Sequence, residues 1–319
     1  MTEPVKDIIL GFPNCQGPAP DVDCAILLLA FVETRDMADS ERMPIGIFVM
    51  MGEDTPPAIE MAEEVGVDNV HALAPPVENR TPETAREVAR RFEDAGIDVT
   101  TVFCSYEGES YDSIDAVCET VGLVPEKSRQ KRIETTKKTA DFVAEMGLDT
   151  MALHAGFISE DTESDQFAEM VEVLREVSED CADKGLNLNL ETGQESAEAL
   201  LEVLDRVDMD NLGVNFDPAN MVLYGSGEPL PALRKVGNHV RSCHCKDAAW
   251  SDRPGETWGE EVPLGEGDVD VEDYIRILND FGYNGPLTIE REIPMPQQLE
   301  DMKKGKQVLQ DVKKKLGIS

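Results

Sequence analysis

From residue 43 onward the sequence alternates between two kinds of segment, and this alternation restricts the available folds more than any other feature. Short runs rich in β-branched and aromatic residues are each followed by a longer charged stretch with apolar residues at helical spacing. Strands that alternate with helices pair in parallel through βα crossovers. The strand-like runs are Ile45–Met50, Asn69–Ala74, Ile97–Ser105, Thr150–Ala155, Leu186–Glu191, Leu212–Asp217, Val240–Lys246 and Pro286–Glu290.

Several of the helical stretches between these runs end at a glycine, as helix C-caps do. Eight βα units predict a closed (β/α)8 barrel. The alternative is an open doubly wound sheet, but its dinucleotide-binding G-x-G-x-x-G after the first strand is absent from the sequence. The predicted helices are Pro57–Val65, Pro82–Ala95, Arg129–Met146, Asp165–Lys184, Ala197–Val207, Leu230–Val236, Val271–Phe281 and Gln297–Leu316.

Residues 1–42 precede the eight units. We expect a short N-terminal extension packed on the barrel of residues 43–319, with a strand at Asp7–Gly11 and a helix at Asp23–Glu33. The sequence leaves open whether this extension caps the floor of the barrel or packs beside it. The stretch Trp250–Asp268 is long for a βα loop and rich in glycine, which is typical of functional or mobile loops.

Polar side chains occupy one face of the last four predicted barrel strands. In parallel barrels the active site lies at the carboxyl ends of the strands, and side chains alternate inward and outward along each strand. Burying a polar side chain inside a barrel is costly, so such residues need a function or a partner. The inward sets are Asn187, Asn189 and Glu191; Asn215 and Asp217; Ser242, His244 and Lys246; and Thr288 and Glu290.

Four of these residues, Glu191, Asp217, His244 and Glu290, end successive strands and converge on one mouth. Three carboxylates and an imidazole at one point repel or shift their pKa values unless a cation neutralises them. Oxygen ligands with one histidine suit Mn²⁺ or Mg²⁺ and tolerate Co²⁺ or Zn²⁺. The sequence therefore predicts one divalent metal ion. The alternative is that each is a hydrogen-bonded polar residue at a strand end.

Five segments carry a recognisable pattern: Leu188–Thr192, Asn215–Asn220, His244–Asp247, Pro263–Asp268 and Gly282–Glu290. They resemble the xylose-isomerase-like TIM-barrel superfamily, and within it the sugar-phosphate isomerase/epimerase group. They lie in the order typical of that group, and the similarity covers about residues 43–316. It implies that Glu191, Asp217, His244 and Glu290 hold the metal, and that Glu191 and Glu290 are also the catalytic acid/base pair.

The chain also departs from these relatives. Many of them carry a histidine three residues after the sixth-strand aspartate, where this chain has Asn220. The endonuclease-IV-like members need more histidines for a three-zinc cluster than the four in this chain supply. The formal charge of −36 independently argues against a nucleic-acid partner and an anionic membrane surface. The DNA-repair branch is therefore disfavoured.

Further candidate substrate-binding residues surround the cluster. His154 and Asn189 are predicted inward, and His154 can polarise a carbonyl or is a hydrogen-bonded core histidine. Lys246 can hold an oxyanion or pair with a carboxylate, and Asn220 lies beside the sixth-strand aspartate. Arg253 lies in the long loop as a substrate contact or a solvated side chain.

The glycine-rich turn after this loop places Glu266 where it can orient a ligand. Elsewhere, His71 and His239 are expected to be structural or exposed. Cys243 and Cys245 flank His244 on the opposite face, which disfavours a Cys-His-Cys metal site.

The cysteine content and the N-terminal sequence indicate a cellular compartment. Seven cysteines without a C-x-x-C pair, and no secretory pattern at the N-terminus, favour a reducing, cytoplasmic compartment.

We expect a metal-dependent sugar isomerase or epimerase acting on a small ketose, aldose or polyol by proton transfer through an enediolate. Few cations lie in the strand-end loops, which favours an unphosphorylated sugar. The alternatives are a dehydratase of the inosose-dehydratase type and a non-catalytic sugar-binding module. A homo-oligomer is left open.

Overall fold

The computed structural model describes residues 41–51 and 55–319, which form a closed barrel of eight parallel strands. Strand β1 pairs with both β2 and β10, and this pairing closes the barrel. The predicted (β/α)8 architecture is confirmed. The barrel strands are β1 Ile45–Met50, β2 Asn69–Leu73, β3 Asp98–Cys104, β4 Thr150–Leu153, β5 Asn187–Glu191, β6 Leu212–Phe216, β7 Val240–Cys245 and β10 Leu287–Ile289.

Helices cover the outside of the barrel, and each predicted helix is present within a few residues of its expected bounds. Helices α3 and α7 were not predicted. The helices are α1 Pro56–Val65, α2 Pro82–Asp94, α3 Ile114–Thr120, α4 Glu126–Glu145, α5 Asp165–Asp183, α6 Ala197–Val207, α7 Pro218–Tyr224, α8 Pro229–Val236, α9 Val271–Asp280 and α10 Gln297–Leu316.

Outward-facing apolar side chains bind the strands to this helical layer. Phe216 of β6 is fully buried, with its ring 6.0 Å from that of Tyr274 in α9. Full burial of a large apolar side chain contributes about 1.5–3 kcal/mol. The hydroxyl of Tyr274 donates to the backbone oxygens of Phe216 and His244, both at 3.1 Å. Tyr274 therefore ties together the ends of β6 and β7, where polar side chains enter the barrel.

The long loop after β7 contains a small antiparallel hairpin of strands β8, Asp247–Ala249, and β9, Glu260–Val262. The buried Asp247 carboxylate accepts hydrogen bonds from the backbone amides of Gly265, Gly267 and Val269 at 2.9–3.1 Å. A Cβ at Gly267 would lie 2.2 Å from Asp247 Oδ1, so only glycine fits there. The predicted mobile loop is thus partly ordered.

The predicted strand Asp7–Gly11 and helix Asp23–Glu33 lie outside the described residues. Packing of residues 1–42 on the barrel stays a prediction. Within the described ranges, no helix combines the length and apolar character needed to cross a membrane.

Candidate metal centre

Glu191, Asp217, His244 and Glu290 come together at the carboxyl ends of β5, β6, β7 and β10. All four side chains are buried, and each contributes one donor atom to a cluster in which these atoms lie within 4.8 Å of one another. The strand register brings the residues near one another, because Glu191 pairs with Asn215, two residues before Asp217, and His244 pairs with Thr288, two residues before Glu290.

Asp217 is oriented by the helix that it starts. Its Oδ1 accepts from the backbone amides of Ala219 and Asn220 at 2.8 and 3.1 Å, as an N-cap residue does. Pro218 at the first helical position has no amide proton to satisfy. Oδ2 is buried and has no hydrogen-bond partner among the described residues. Burial, partly offset by Lys246, raises the pKa of Asp217 to about 6.

Glu191 contacts two histidines. Its Oε2 lies 3.0 Å from His154 Nε2, and its Oε1 lies 2.7 Å from His244 Nδ1. Burial opposes ionisation of Glu191, but His154 and His244 outweigh it and lower the pKa of Glu191 to about 2. Burial likewise disfavours the charged form of His154, but Glu191 raises the pKa of His154 to about 9. His154 therefore belongs to the rim of the cluster.

Lys246 lies beside Glu290 and Asp217 and is buried. Its Nζ is 3.3 Å from Glu290 Oε2 and from Asn220 Oδ1, 4.0 Å from Asp217 Oδ2, and bonded to Glu292. Burial disfavours its charge, yet these carboxylates, Glu290 first, raise the pKa of Lys246 well above its ordinary value. Lys246 therefore presents a cation beside the cluster.

The donor set fits a divalent cation. The Nδ1 of His244 lies 3.2 Å from Glu290 Oε2 and close to Glu191, but neither contact has hydrogen-bond geometry. Oδ2 of Asp217 is likewise buried without a partner in the described chain. Buried polar atoms are almost always satisfied, so converging donors without partners are the arrangement expected at a metal site. Carboxylate oxygens with one imidazole suit Mn²⁺, Mg²⁺ or Zn²⁺.

Asn220 and Asn189 are two further predicted site residues, and both are buried. Oδ1 of Asn220 accepts a hydrogen bond from Lys246, and its side-chain Nδ2 donates to the backbone oxygen of Thr192 at 3.3 Å. Asn189 is fully buried on the inward face, where its Nδ2 donates to Ser242 Oγ at 2.9 Å.

Arg253 and Glu266 are not brought to the cluster. Arg253 is largely exposed and pairs with Glu256 of its own loop. The side chain of Glu266 is exposed as well, and the turn that carries it is held by Asp247.

Strands β1 to β3 supply a largely apolar wall beside His244, which was not predicted from the sequence. The ring of His244 lies 5.4 Å from Phe48, 5.3 Å from His71 and 4.9 Å from Phe103. His71 is fully buried, and burial followed by His244 lowers its pKa well below the ordinary value. The same inward alternation that placed His244 would have placed His71, because Val70 and Ala72 alternate with it as core residues.

Comparison with known proteins agrees with this geometry. The family model described as xylose isomerase-like TIM barrel matches residues 59–312. A crystal structure of a xylose isomerase domain protein from Planctomyces limnophilus is 43% identical with a TM-score of 0.83, covering 86% of this chain and 99% of that one. A D-tagatose 3-epimerase-like protein is 18% identical with a TM-score of 0.66, covering 84% and 98%, which shows the shared fold.

Among curated proteins, inosose dehydratase from Clostridium perfringens is 25% identical over 143 residues, 40% of this chain and 48% of that enzyme. The alignments span 64% or less of the length of the curated relatives that match. The closed barrel and the family model together mean that the chain belongs to the xylose isomerase-like TIM barrel family.

Proposed function

We propose that the protein is a divalent-metal-dependent isomerase or epimerase of a small unphosphorylated sugar or polyol. The observation that carries the proposal is the buried cluster of Glu191, Asp217, His244 and Glu290, whose donor atoms lie within 4.8 Å of one another. The family membership and the epimerase-like structural neighbour support it. Mn²⁺ or Mg²⁺ is the proposed ion, and the free state of the described cysteines fits the reducing cytoplasm proposed for it.

Two glutamates would remove a proton from the substrate and return one to it. When bound, the metal would act as a Lewis acid that polarises a carbonyl. One of Glu191 and Glu290 would remove a proton from the adjacent carbon, and the other would return one. The positive charges of His154, beside Glu191, and of Lys246, beside Glu290, would stabilise the substrate oxygens that gain negative charge. The apolar wall of Phe48 and Phe103 would exclude water from that side.

The ion pairs at the site argue against a phosphorylated substrate. A phosphate group needs free cations or a helix N-terminus. Lys246 is already paired with Glu290 and Glu292. Arg291 is paired with Glu261 and Asp301. We therefore propose a substrate without a phosphate.

A dehydratase is the second candidate, favoured by the similarity to inosose dehydratase over 143 residues. It would use the same proton removal but expel a hydroxyl as water. The two reactions differ in product mass, because dehydration makes the product lighter by one water molecule. A non-catalytic sugar-binding module would bind the sugar and leave it unchanged.

The test is a panel of unphosphorylated ketoses, aldoses and inososes, incubated in heavy water with the Mn²⁺-loaded protein and followed by NMR and mass spectrometry. Proton transfer predicts deuterium at the carbon next to the carbonyl. Conversion without deuterium indicates a hydride shift instead.

The same assay on Glu191→Gln and Glu290→Gln tests the assignment of acid and base. Each should lower turnover by about 10²–10⁴-fold, the usual contribution of a positioned acid or base. Glu256→Gln, a change of an exposed loop carboxylate, is the matched control and should keep wild-type turnover. Wild-type turnover in both site variants would reject the assignment.

A further inference from the structure

Glu290 occupies an unusual position among the four cluster residues. It follows β10, which has only three residues, and the next regular element begins at Gln297. Its own amide donates to the backbone oxygen of Cys245 at 3.3 Å, the last ladder contact on this strand. The strand ladder therefore does not fix the backbone beyond Glu290.

A side chain from the β8–β9 hairpin holds that backbone instead. Oε1 of Glu261 accepts from the backbone amide of Glu292 at 3.0 Å and from Nη1 of Arg291 at 2.9 Å. Both donors belong to the two residues that directly follow Glu290. Hydrogen bonds to a charged acceptor are roughly twice as strong as neutral ones, so this contact is a firm anchor.

The two charged side chains of the anchor are mostly buried, whereas Glu292, whose amide donates to it, is exposed. The side chains of Glu261 and Arg291 are 12% and 10% exposed. Arg291 also donates from Nε to the buried Asp301 of α10 at 3.0 Å. Because Arg291 lies between two carboxylates, the loss of one leaves its charge paired with the other.

The hairpin that carries Glu261 is itself fixed independently of β10. Glu261 pairs with Ala248 across the hairpin, and the Gly259 amide donates to the backbone oxygen of Leu223 in α7 at 2.9 Å. The side chain of Glu292 accepts a hydrogen bond from Lys246, whose Nζ also lies 3.3 Å from Glu290 Oε2. Glu261 thus fixes both the backbone after Glu290 and the residue that pairs with the neighbouring lysine.

We infer that Glu261 is a positioning residue for the metal centre, which sets the direction of the Glu290 carboxylate without touching the ion. The inference rests on the proposed metal site. Outer residues that orient metal ligands typically contribute 10–100-fold to metal affinity.

The test compares Glu261→Leu and Glu261→Gln with the matched control Glu260→Leu, whose side chain is exposed on the same strand. Mn²⁺ affinity is measured by EPR of the free ion, and the ligand geometry by the visible spectrum of the Co²⁺-loaded protein. Leucine removes both acceptor oxygens, whereas glutamine keeps one for the Glu292 amide. We expect the dissociation constant to rise by about tenfold or more in Glu261→Leu and by less in Glu261→Gln, with a changed Co²⁺ spectrum in the leucine variant.

Thermal unfolding of the metal-free variants establishes that each is folded. If Glu261→Leu does not fold, Glu261→Gln alone must still bind Mn²⁺ more weakly than Glu260→Leu. Folded Glu261 variants that match the control in affinity and spectrum overturn the positioning role and leave the metal site intact. Wild-type protein that binds neither ion overturns the proposed function itself.

Discussion

At the residue scale, Asp217 combines two tasks that the sequence pattern ties together. One oxygen caps α7, and the other is left to face His244 and Lys246 at 3.8 and 4.0 Å. The helix therefore orients the carboxylate before any ligand arrives. Asparagine at this position would keep the capping oxygen and remove the charge, which makes Asp217→Asn a selective probe of the cluster.

A second buried carboxyl, Glu195, lies in the loop after β5 and is not part of the cluster. It lines a small, mainly apolar cavity with Leu200, Phe216 and Met221. Burial raises the pKa of Glu195 to about 8. Between the ordinary carboxyl pKa and pH 8 the folded state holds a proton that the unfolded chain has lost. The stability from this group is complete below that range and disappears as the pH rises through about 8.

We therefore predict that Glu195→Gln stabilises the protein more at pH 8 than at pH 5. Within that window the wild type loses at most about 1.4 kcal/mol per pH unit through this group. The measurement is urea unfolding of both proteins across the range. Glu179→Gln, a change of an exposed residue on α5, is the control, and a variant that follows its pH dependence would contradict the prediction.

Side-chain alternation placed Glu191, Asp217, His244 and Glu290 at one barrel mouth, and the structure brings them together. Alternation works here because the two-residue period of a strand determines which face each side chain occupies. It could not identify Glu261, which reaches the centre through hydrogen bonds from a different element. For Arg253 the sequence leaves a substrate contact and a solvated side chain open, because loop sequence alone does not reveal its ion pair with Glu256.

At the element scale, the β8–β9 hairpin depends on one carboxylate. Asp247 collects amides from residues 18–22 positions further along the chain. Such long-range contacts leave no local periodicity, which explains why the hairpin was not predicted. Helix α7 was missed for another reason. It has only seven residues, too few for a periodic pattern, although Pro218 after Asp217 was a start signal.

We predict that Asp247→Asn loosens this hairpin while the barrel stays folded. The amide offers one acceptor oxygen in place of two, and each buried donor left unsatisfied costs about 1–3 kcal/mol. Hydrogen exchange followed by mass spectrometry should show faster exchange in the segment containing Gly265, Gly267 and Val269.

Asp252→Asn, an equal change of charge in the exposed part of the same loop, should leave this exchange at the wild-type rate. Equal protection in both variants would show that the carboxylate does not hold the turn.

At the scale of the whole molecule, the formal charge of −36 bears on stability. Like charges on one surface repel, and this repulsion destabilises the compact state. Salt shortens the screening length from about 10 Å at 0.1 M to about 3 Å at 1 M. We predict that the unfolding temperature rises with KCl, by about 1–2 °C for each kcal/mol of repulsion removed, because the entropy of unfolding grows with chain length.

A comparison of KCl with an equal concentration of an uncharged osmolyte separates screening from general solvent effects. An unfolding temperature that stays constant or falls between low and high KCl would contradict the prediction. The charge itself could be counted from the sequence, but the share neutralised inside the molecule could not, because it depends on the clustering of three carboxylates from distant segments.

We propose that these clustered side chains hold one divalent cation. Metal analysis by mass spectrometry, after dialysis against chelator and reloading with Mn²⁺, tests it on the wild type and on Asp217→Asn. We predict one ion per wild-type chain and a large loss of bound metal in the variant, because a charged ligand is removed while the helix cap is kept. A reloaded wild type without metal, or equal metal in both proteins, would contradict the claim.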